Sequence, residues 1–530
     1  MLLKILMLVI FFGLMVGIGL YCRKNSTDVN GFVLGGRSVG PWLTAFAYGT
    51  SYFSAVIFVG YAGQFGWKFG IAATWIGIGN AVIGSLMAWA VLGRRTRIMT
   101  QHLSSATMPD FFAKRFDSQS LKIISAVVIF IFLIPYTASL YNGLSRLFEM
   151  AFGVPYIWCV VGMSVLTAVY VIAGGYMATA INEFIQGIIM IFGIIAVIAA
   201  VLGKHDGFLG SLEGLAIVPV TEAEAAVTPA LGVPGIFNSF FGPDPLSLLG
   251  VVILTSLGTW GLPQMVGKFY AIKHEGDIHK GTIISTVFAV IVAGGCYFLG
   301  GFGRLFTGDP GIQFNAKGGI VFDSIIPAML SNLPDVLIAV VIILVLSASM
   351  STLSSLVLTS SSTVTLDLLK GHVVRKMDEK KQLLTMRGLI VVFIAISAVI
   401  AIIQVNSPVA FIAQARGVSW GAMAGAFLAP FLYGLYWKRA TSWGCWASIL
   451  FSSIFMTLVM FNQLGVLTLN LGLLSSPINA GAFCMLAGLL IVPIVSLISK
   501  APDRKLVDDA FSCYDQKVLV KQAEALADPE

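Results

Sequence analysis

The sequence predicts an all-α integral membrane protein with about 13 transmembrane helices, from its composition, its recurrent apolar runs of membrane length and the one-sided placement of its basic loops. Of 530 residues, 57% are hydrophobic and 11% charged, and the mean hydropathy is +0.91. Soluble domains carry roughly a quarter charged residues, so lipid is the expected solvent and a single membrane bundle the expected folding unit. The formal charge of +7 does not point to nucleic acid. The basic residues lie in short loops between apolar runs, where membrane insertion places them.

Windows of about 20 apolar residues fall near 3–22, 41–63, 70–93, 121–144, 155–173, 183–203, 246–267, 282–302, 336–360, 388–404, 409–436, 443–462 and 479–499, numbered here as spans 1 to 13. The first run is too long for a signal-peptide core and lacks an A-x-A site, so it reads as a span. Loops on one side hold Arg23, Lys24 and Arg37; Arg94 to Arg115; Lys268, Lys273 and Lys280; Arg375 to Arg387; and Lys438 with Arg439. The longest loop on the other side, 204–245, carries Asp206, Glu213, Glu222 and Glu224. The expectation is a multi-pass cell (inner or plasma) membrane protein with its N-terminus outside and its C-terminus in the cytoplasm.

The expected organisation is a first helix and cytoplasmic loop (1–40), a first five-helix repeat (41–203), an extracellular loop (204–245), a second repeat (246–436), two further spans (437–499) and a polar tail (500–530), loosely docked at most. The stretch MPDFFAKRF (Met108 to Phe116) reads as an interfacial helix, and Asp309 to Gly319 as an irregular outer loop. Six cysteines are scattered singly without metal-like spacing and read as packing residues. All five histidines fall in predicted loops, leaving none to serve as a buried proton relay.

Hydrocarbon offers the backbone no partners, so an interrupted membrane helix must border a cavity, an ion or other protein. Span 2 carries Gly49, Thr50, Ser51 and Ser54 in its middle; span 7 carries Thr255, Ser256, Gly258, Thr259, Gly261 and Pro263. The two lie five spans apart, as inverted repeats with unwound first helices require. The competing reading is close helix packing through small residues; matched clusters in both halves favour a binding cavity. Span 9 adds the run Ser347 to Ser355, whose Ser351 and Thr352 suit a small hard cation that needs several oxygen ligands. Back-bonding of these hydroxyls to the preceding turn is the alternative there.

Several segments now carry a resemblance: F-V-L-G-G-R-S-V-G-P (Phe32 to Pro41), the P-D-F-F-A-K-R-F loop, R-L-F-E-M-A-F-G (Arg146 to Gly153), A-G-G-Y-M-A (Ala173 to Ala178) and M-S-T-L-S-S (Met350 to Ser355). With them the chain resembles the sodium/solute symporters, nearest the bacterial proline and pantothenate permeases. The resemblance implies a LeuT-like core of two inverted five-helix repeats and Na+ as the coupling ion. The ion would be held by carbonyls of Thr50, Phe53 and Ala348 and hydroxyls of Ser351 and Thr352. It places the solute at Tyr52, Ser54, Tyr136, Thr255, Thr259, Trp260 and Pro263, and gives Arg37 and Glu183 coupling or gating roles. Tyr52 stands where the proline carriers have an aspartate, Thr255 and Thr259 replace two aromatic positions, and Glu183 replaces an aspartate. The segments G-L-P-Q (Gly261 to Gln264) and G-L-Y-W-K-R-A (Gly434 to Ala440) lean toward the pantothenate type.

Arg416 lies within span 11. A guanidinium at the bilayer centre costs about 2.5 kcal/mol or more, so it should face a wet cavity or an acid. It either binds a substrate carboxylate or serves a structural or gating role. The expected activity is sodium-coupled import of a small polar solute with a carboxylate, such as pantothenate, proline or another amino acid, or a short monocarboxylate. The expected partners are that solute and the lipid bilayer, with neither nucleic acid nor an obligate protein. An uncoupled or proton-coupled carrier, a channel and a solute receptor are the rivals; no selectivity-filter repeat favours a channel. An enzyme is not expected, because no metal cluster, nucleophile motif or phosphate loop is present in the sequence.

Overall fold

The computed structural model describes residues 2–220, 229–314, 319–331, 333–370, 373–374, 376–405 and 412–515. Among these the chain is helical, with three isolated β-bridges and no strand. Eleven helical stretches are long and apolar enough to cross a membrane. Two of them, Val56–His102 and Tyr156–Gly203, run to 47 and 48 residues, about twice what a bilayer requires. Each contains a glycine in a conformation closed to other residues: Gly70 (φ 61°, ψ −141°) and Gly175 (φ 55°, ψ −147°). The sequence-based spans divide the two stretches near these glycines. A Cβ on Gly175 would also lie 2.9 Å from the Phe32 carbonyl oxygen.

Both expected breaks are present and have the same local form. In span 2, helix Pro41–Tyr52 ends at Phe53 (φ −89°, ψ 119°), and the path resumes as the π-helical turn Val56–Tyr61 and helix Ala62–Phe69. In span 7, helix Pro245–Leu257 tightens to a 3-10 turn at Gly258–Trp260, passes through Leu262 (φ −86°, ψ 122°) and restarts as Pro263–Ala271. The restarting proline gives up no hydrogen bond, since the first N–H of a helix has no partner within it. Span 9 is continuous over Asp335–Thr363, followed by a π-helical stretch to Leu369, and packs between Gln119–Phe152 and Tyr156–Gly203. Helices Ile412–Tyr436 and Pro477–Ile498 meet through glycine: a Cβ on Gly421 would sit 2.6 Å from the Gly481 Cα.

Several expectations are corrected. Lys268, counted among loop residues, lies in helix Pro263–Ala271 and is only 3% exposed. His102 and His279 fall within the helices Arg94–His102 and Asp277–Ala289, while His372 lies outside the described residues. Met108–Phe116 is helical, capped by Thr107, but its Phe111 and Phe112 rings turn inward onto Phe431 and Phe427. The tail is more than loosely docked through residue 515: Arg504–Ser512 is a helix that buries Val507, Ala510 and Phe511, and Lys438 bonds Asp508 at 2.9 Å. Of the loop Asp309 to Gly319, residues 315–318 lie outside the described residues. The six cysteines are free and buried.

Candidate functional site

The break in span 2 detaches carbonyls from the helical ladder and turns them toward span 9. Thr352 Oγ1 lies 3.3 Å from the Thr50 oxygen, 3.5 Å from that of Ser51, 3.3 Å from that of Phe53 and 3.1 Å from that of Ala348. Ser351 Oγ lies 3.1 Å from both the Thr50 and Ala348 oxygens. A threonine hydroxyl has one proton to donate, so four carbonyls around it are more acceptors than it can satisfy. Together with both hydroxyls they form the hard-oxygen donor set that a small cation takes. All five residues expected at this position therefore converge.

One turn along span 9, toward the basic loops, lies a buried ion pair. Lys268 Nζ is 2.9 Å and 3.1 Å from the two carboxylate oxygens of Glu183 and 2.9 Å from Ser355 Oγ. Ser355 donates to Glu183 at 2.6 Å, and Ser51, next to Thr50, does so at 3.2 Å. Spans 2, 6, 7 and 9 thus meet in one polar knot.

Arg416 is fully buried, and none of its three guanidinium nitrogens has a hydrogen-bond partner among the described residues. Its guanidinium lies 4.0 Å from the Trp420 ring centre, 4.8 Å from that of Tyr61 and 5.8 Å from that of Tyr136. Aromatic faces stabilise a desolvated cation by about 2 kcal/mol or more but leave its N–H groups unmet. Beside it the Tyr136 and Trp420 rings meet edge to face at 6.1 Å, and Tyr136 Oη, Ser54 Oγ and Trp420 Nε1 are buried with no hydrogen bond of good geometry among the described residues. Tyr52 packs its ring against Trp420 and donates to the Thr255 carbonyl at 3.0 Å.

The remaining expected solute residues face elsewhere. Thr255 donates within 2.9 Å of Asn80 Oδ1, Thr259 to the Gly84 carbonyl at 3.0 Å and Trp260 to the Ile83 carbonyl at 2.9 Å, all toward span 3. Pro263 lines a narrow cavity of about 50 Å³ on the side of the basic loops, with Lys268 and Ser355. Arg37, in a left-handed conformation (φ 52°), donates to the carbonyls of Ser105 at 2.6 Å and Tyr270 at 3.1 Å, joining the start of span 2 to the end of span 7. At the opposite end of the bundle a polar cavity of about 450 Å³ is lined by Gln64, Lys68, Asp244, Arg304, Gln414 and Asn479. Through Gln414 it begins two residues from Arg416 along the same helix.

The family model described as sodium:solute symporter family matches residues 32–452. The chain belongs to that family. It is accordingly a multi-pass transmembrane symporter and not an enzyme. Among its relatives, the osmoregulated proline transporter OpuE of Bacillus subtilis is 31% identical over 515 residues, covering 94% of this chain and 95% of that one. Sodium/proline symporter 2 of Staphylococcus saprophyticus is 30% identical over 461 residues, covering 84% of this chain and 83% of that one. Among solved structures, an outward-open, substrate-bound Na+-coupled sialic acid symporter superposes with a TM-score of 0.72 at 16% identity, over 94% of this chain and 99% of that one. The nucleobase-cation symporter Mhp1 in a closed conformation gives 0.51 at 12%, over 90% and 97%. These structural likenesses establish the shared LeuT-like fold.

Within this symporter Trp420, Tyr61 and Asn80 are not legible as site residues in the sequence, Ser355 stands there only as the end of the span 9 run, and Lys268 only among the loop residues. Lys268 carried a usable signal: it follows Pro263 by five residues, still inside the restarted helix and therefore within the bundle.

Proposed function

We propose that the protein is a sodium-coupled importer of a small organic solute bearing a carboxylate, working by alternating access. One observation carries the reading: a single break after Tyr52 lies beside both the carbonyl cluster at Thr352 and the aromatic group around Arg416. Carbonyls of Thr50, Ser51 and Phe53 surround Thr352 on one side, and on the other Tyr52 packs on Trp420, whose ring stacks on Arg416. Sodium bound at the carbonyl cluster fixes the backbone that shapes the Arg416 group, so each ligand favours the conformation that binds the other.

Sodium takes the carbonyls of Thr50, Phe53 and Ala348 with the hydroxyls of Ser351 and Thr352. The solute carboxylate takes Arg416 in bidentate fashion, with Tyr136, Ser54 and Trp420 supplying further hydrogen bonds. Thr255, Thr259 and Trp260 hold span 7 against span 3 and shape the wall. The basic loops face the cytoplasm, the cavity at Gln64 and Asn479 is the outer vestibule, and Arg37 latches the inner end. The repeats are 41–203 and 246–436. Two of the relatives are named for proline, itself a carboxylate. The uncharged Tyr52 extends the candidates to other amino acids, pantothenate and short monocarboxylates.

A membrane potential of about 100 mV contributes roughly 2.3 kcal/mol per coupled charge, which alone supports nearly fiftyfold accumulation. In proteoliposomes with an inward sodium gradient, radiolabelled members of that panel are expected to accumulate against their own gradient. Accumulation that is unchanged when potassium replaces sodium overturns the proposal.

A further inference from the structure

The helix Arg504–Ser512 lies across a seam on the basic-loop face of the bundle, packed on the helices Arg94–His102 and Met108–Phe116. On the span 3 side, His102 Nε2 donates to the Asp509 carbonyl at 3.0 Å and Tyr514 Oη to the Arg95 carbonyl at 3.2 Å, with the Arg95 guanidinium 4.5 Å from the Tyr514 ring centre. On the side of the turn after span 11, Lys438 Nζ lies 2.9 Å from Asp508 Oδ1 and 5.7 Å from the Phe511 ring centre. Beneath the helix the two sides also bond each other: Arg95 donates to the Leu435 carbonyl at 3.1 Å, and Arg115 to those of Gly434 at 2.9 Å and Trp437 at 3.1 Å. The inner cavity beside this seam is narrow, about 50 Å³ against about 450 Å³ at the outer end, and it is lined by Thr107 and Met108, where the second of the two supporting helices begins.

The two sides of the seam have different attachments. Span 3 is tied to the broken span 7 through Asn80, Gly84 and Ile83. Leu435 belongs to the helix Ile412–Tyr436, which glycine contacts join to Pro477–Ile498. An inward opening that moves span 7 therefore draws span 3 away from that pair, and the tail helix bridges the gap. We propose that the helix Arg504–Ser512 is an autoinhibitory strap: docked, it holds the cytoplasmic mouth shut, and it lifts off each time the mouth opens. The inference rests on the sodium-coupled, alternating-access reading above. Contacts made in one of two states bias the equilibrium by their differential strength. The strap's central contact is Phe511, 6% exposed and 4.9 Å from the Arg115 guanidinium on one side, with Lys438 on the other.

The test measures how fast a maleimide labels a cysteine placed in the inner cavity, Thr359→Cys, in the purified full chain. The native cysteines are buried, and the protein without Thr359→Cys gives the blank. Adding Phe511→Lys sets a further cation beside Arg115 and Lys438 and undocks the helix. Labelling is then expected to rise about fivefold or more, the usual scale of coupling between two linked elements. Sodium chloride, which favours the outward-facing state, should still slow it relative to choline chloride, a response that a misfolded protein does not give. A second arm uses the unaltered protein. Trypsin cuts at Arg504 or Lys505 only from an undocked strap, so sodium chloride is expected to slow that cut as well. Equal labelling with and without Phe511→Lys overturns the inference. So does a tryptic cut indifferent to sodium where Thr359→Cys labelling responds to it. Labelling of Thr359→Cys that ignores sodium in both backgrounds removes the sodium-coupled reading itself, a distinct result.

Discussion

Arg416→Ala is expected to lower uptake of the carboxylate solute by roughly thirtyfold to several thousandfold. Removing one partner of a buried, hydrogen-bonded charge pair costs about 2–5 kcal/mol, and each 1.4 kcal/mol or so is tenfold. The guanidinium has three aromatic neighbours but no hydrogen-bond partner among the described residues, so the protein gives it nothing that a solute oxygen must displace. Arg416→Lys should recover little, because a single ammonium cannot reproduce a planar fork against two oxygens. The discriminating measurement compares a transported acid with its neutral amide. Loss confined to the acid assigns the carboxylate contact, and equal loss of both assigns Arg416 to the scaffold.

The second large effect is expected at Thr352→Ala. Hydrogen bonds to charged groups contribute about 1.5–3 kcal/mol, so losing this ligand should raise the sodium concentration for half-maximal uptake by roughly tenfold to 150-fold. Ser351→Ala should act in the same direction, while Thr352→Ser keeps the oxygen and should stay near the original value. Solute uptake at saturating sodium is expected to recover in each case. A Thr352→Ala protein with unchanged sodium dependence would show that the four carbonyls converge on this hydroxyl for packing alone.

Much of the site is legible in the sequence because hydrocarbon makes polar density conspicuous. Glycines, hydroxyls and a proline inside apolar runs located both breaks, and the serine-rich stretch of span 9 located Ser351 and Thr352. What stayed hidden has physical reasons. Trp420 and Tyr61 look like any aromatic in a membrane helix, and only three-dimensional packing shows that they stack on a cation. Lys268 stands near the end of a span, where a lysine ordinarily marks a loop, and its partner Glu183 is 85 residues away. Thr255 and Thr259 were expected to face solute; their hydroxyls instead meet Asn80 and Gly84, a choice set by the rotation of span 7, which composition does not encode. The tail helix was within reach: Val507, Ala510 and Phe511 follow a helical spacing, obscured by the charges between them.

The glycine seam between Ile412–Tyr436 and Pro477–Ile498 restricts which parts of the bundle can move. Two helices in backbone contact at Gly421 and Gly481 cannot slide past one another without first lifting apart, so these two helices turn as one post. Arg416 and Trp420 stand on that post, so in the proposed transport cycle the anchor for the cargo would stay still while the broken helices facing it swing.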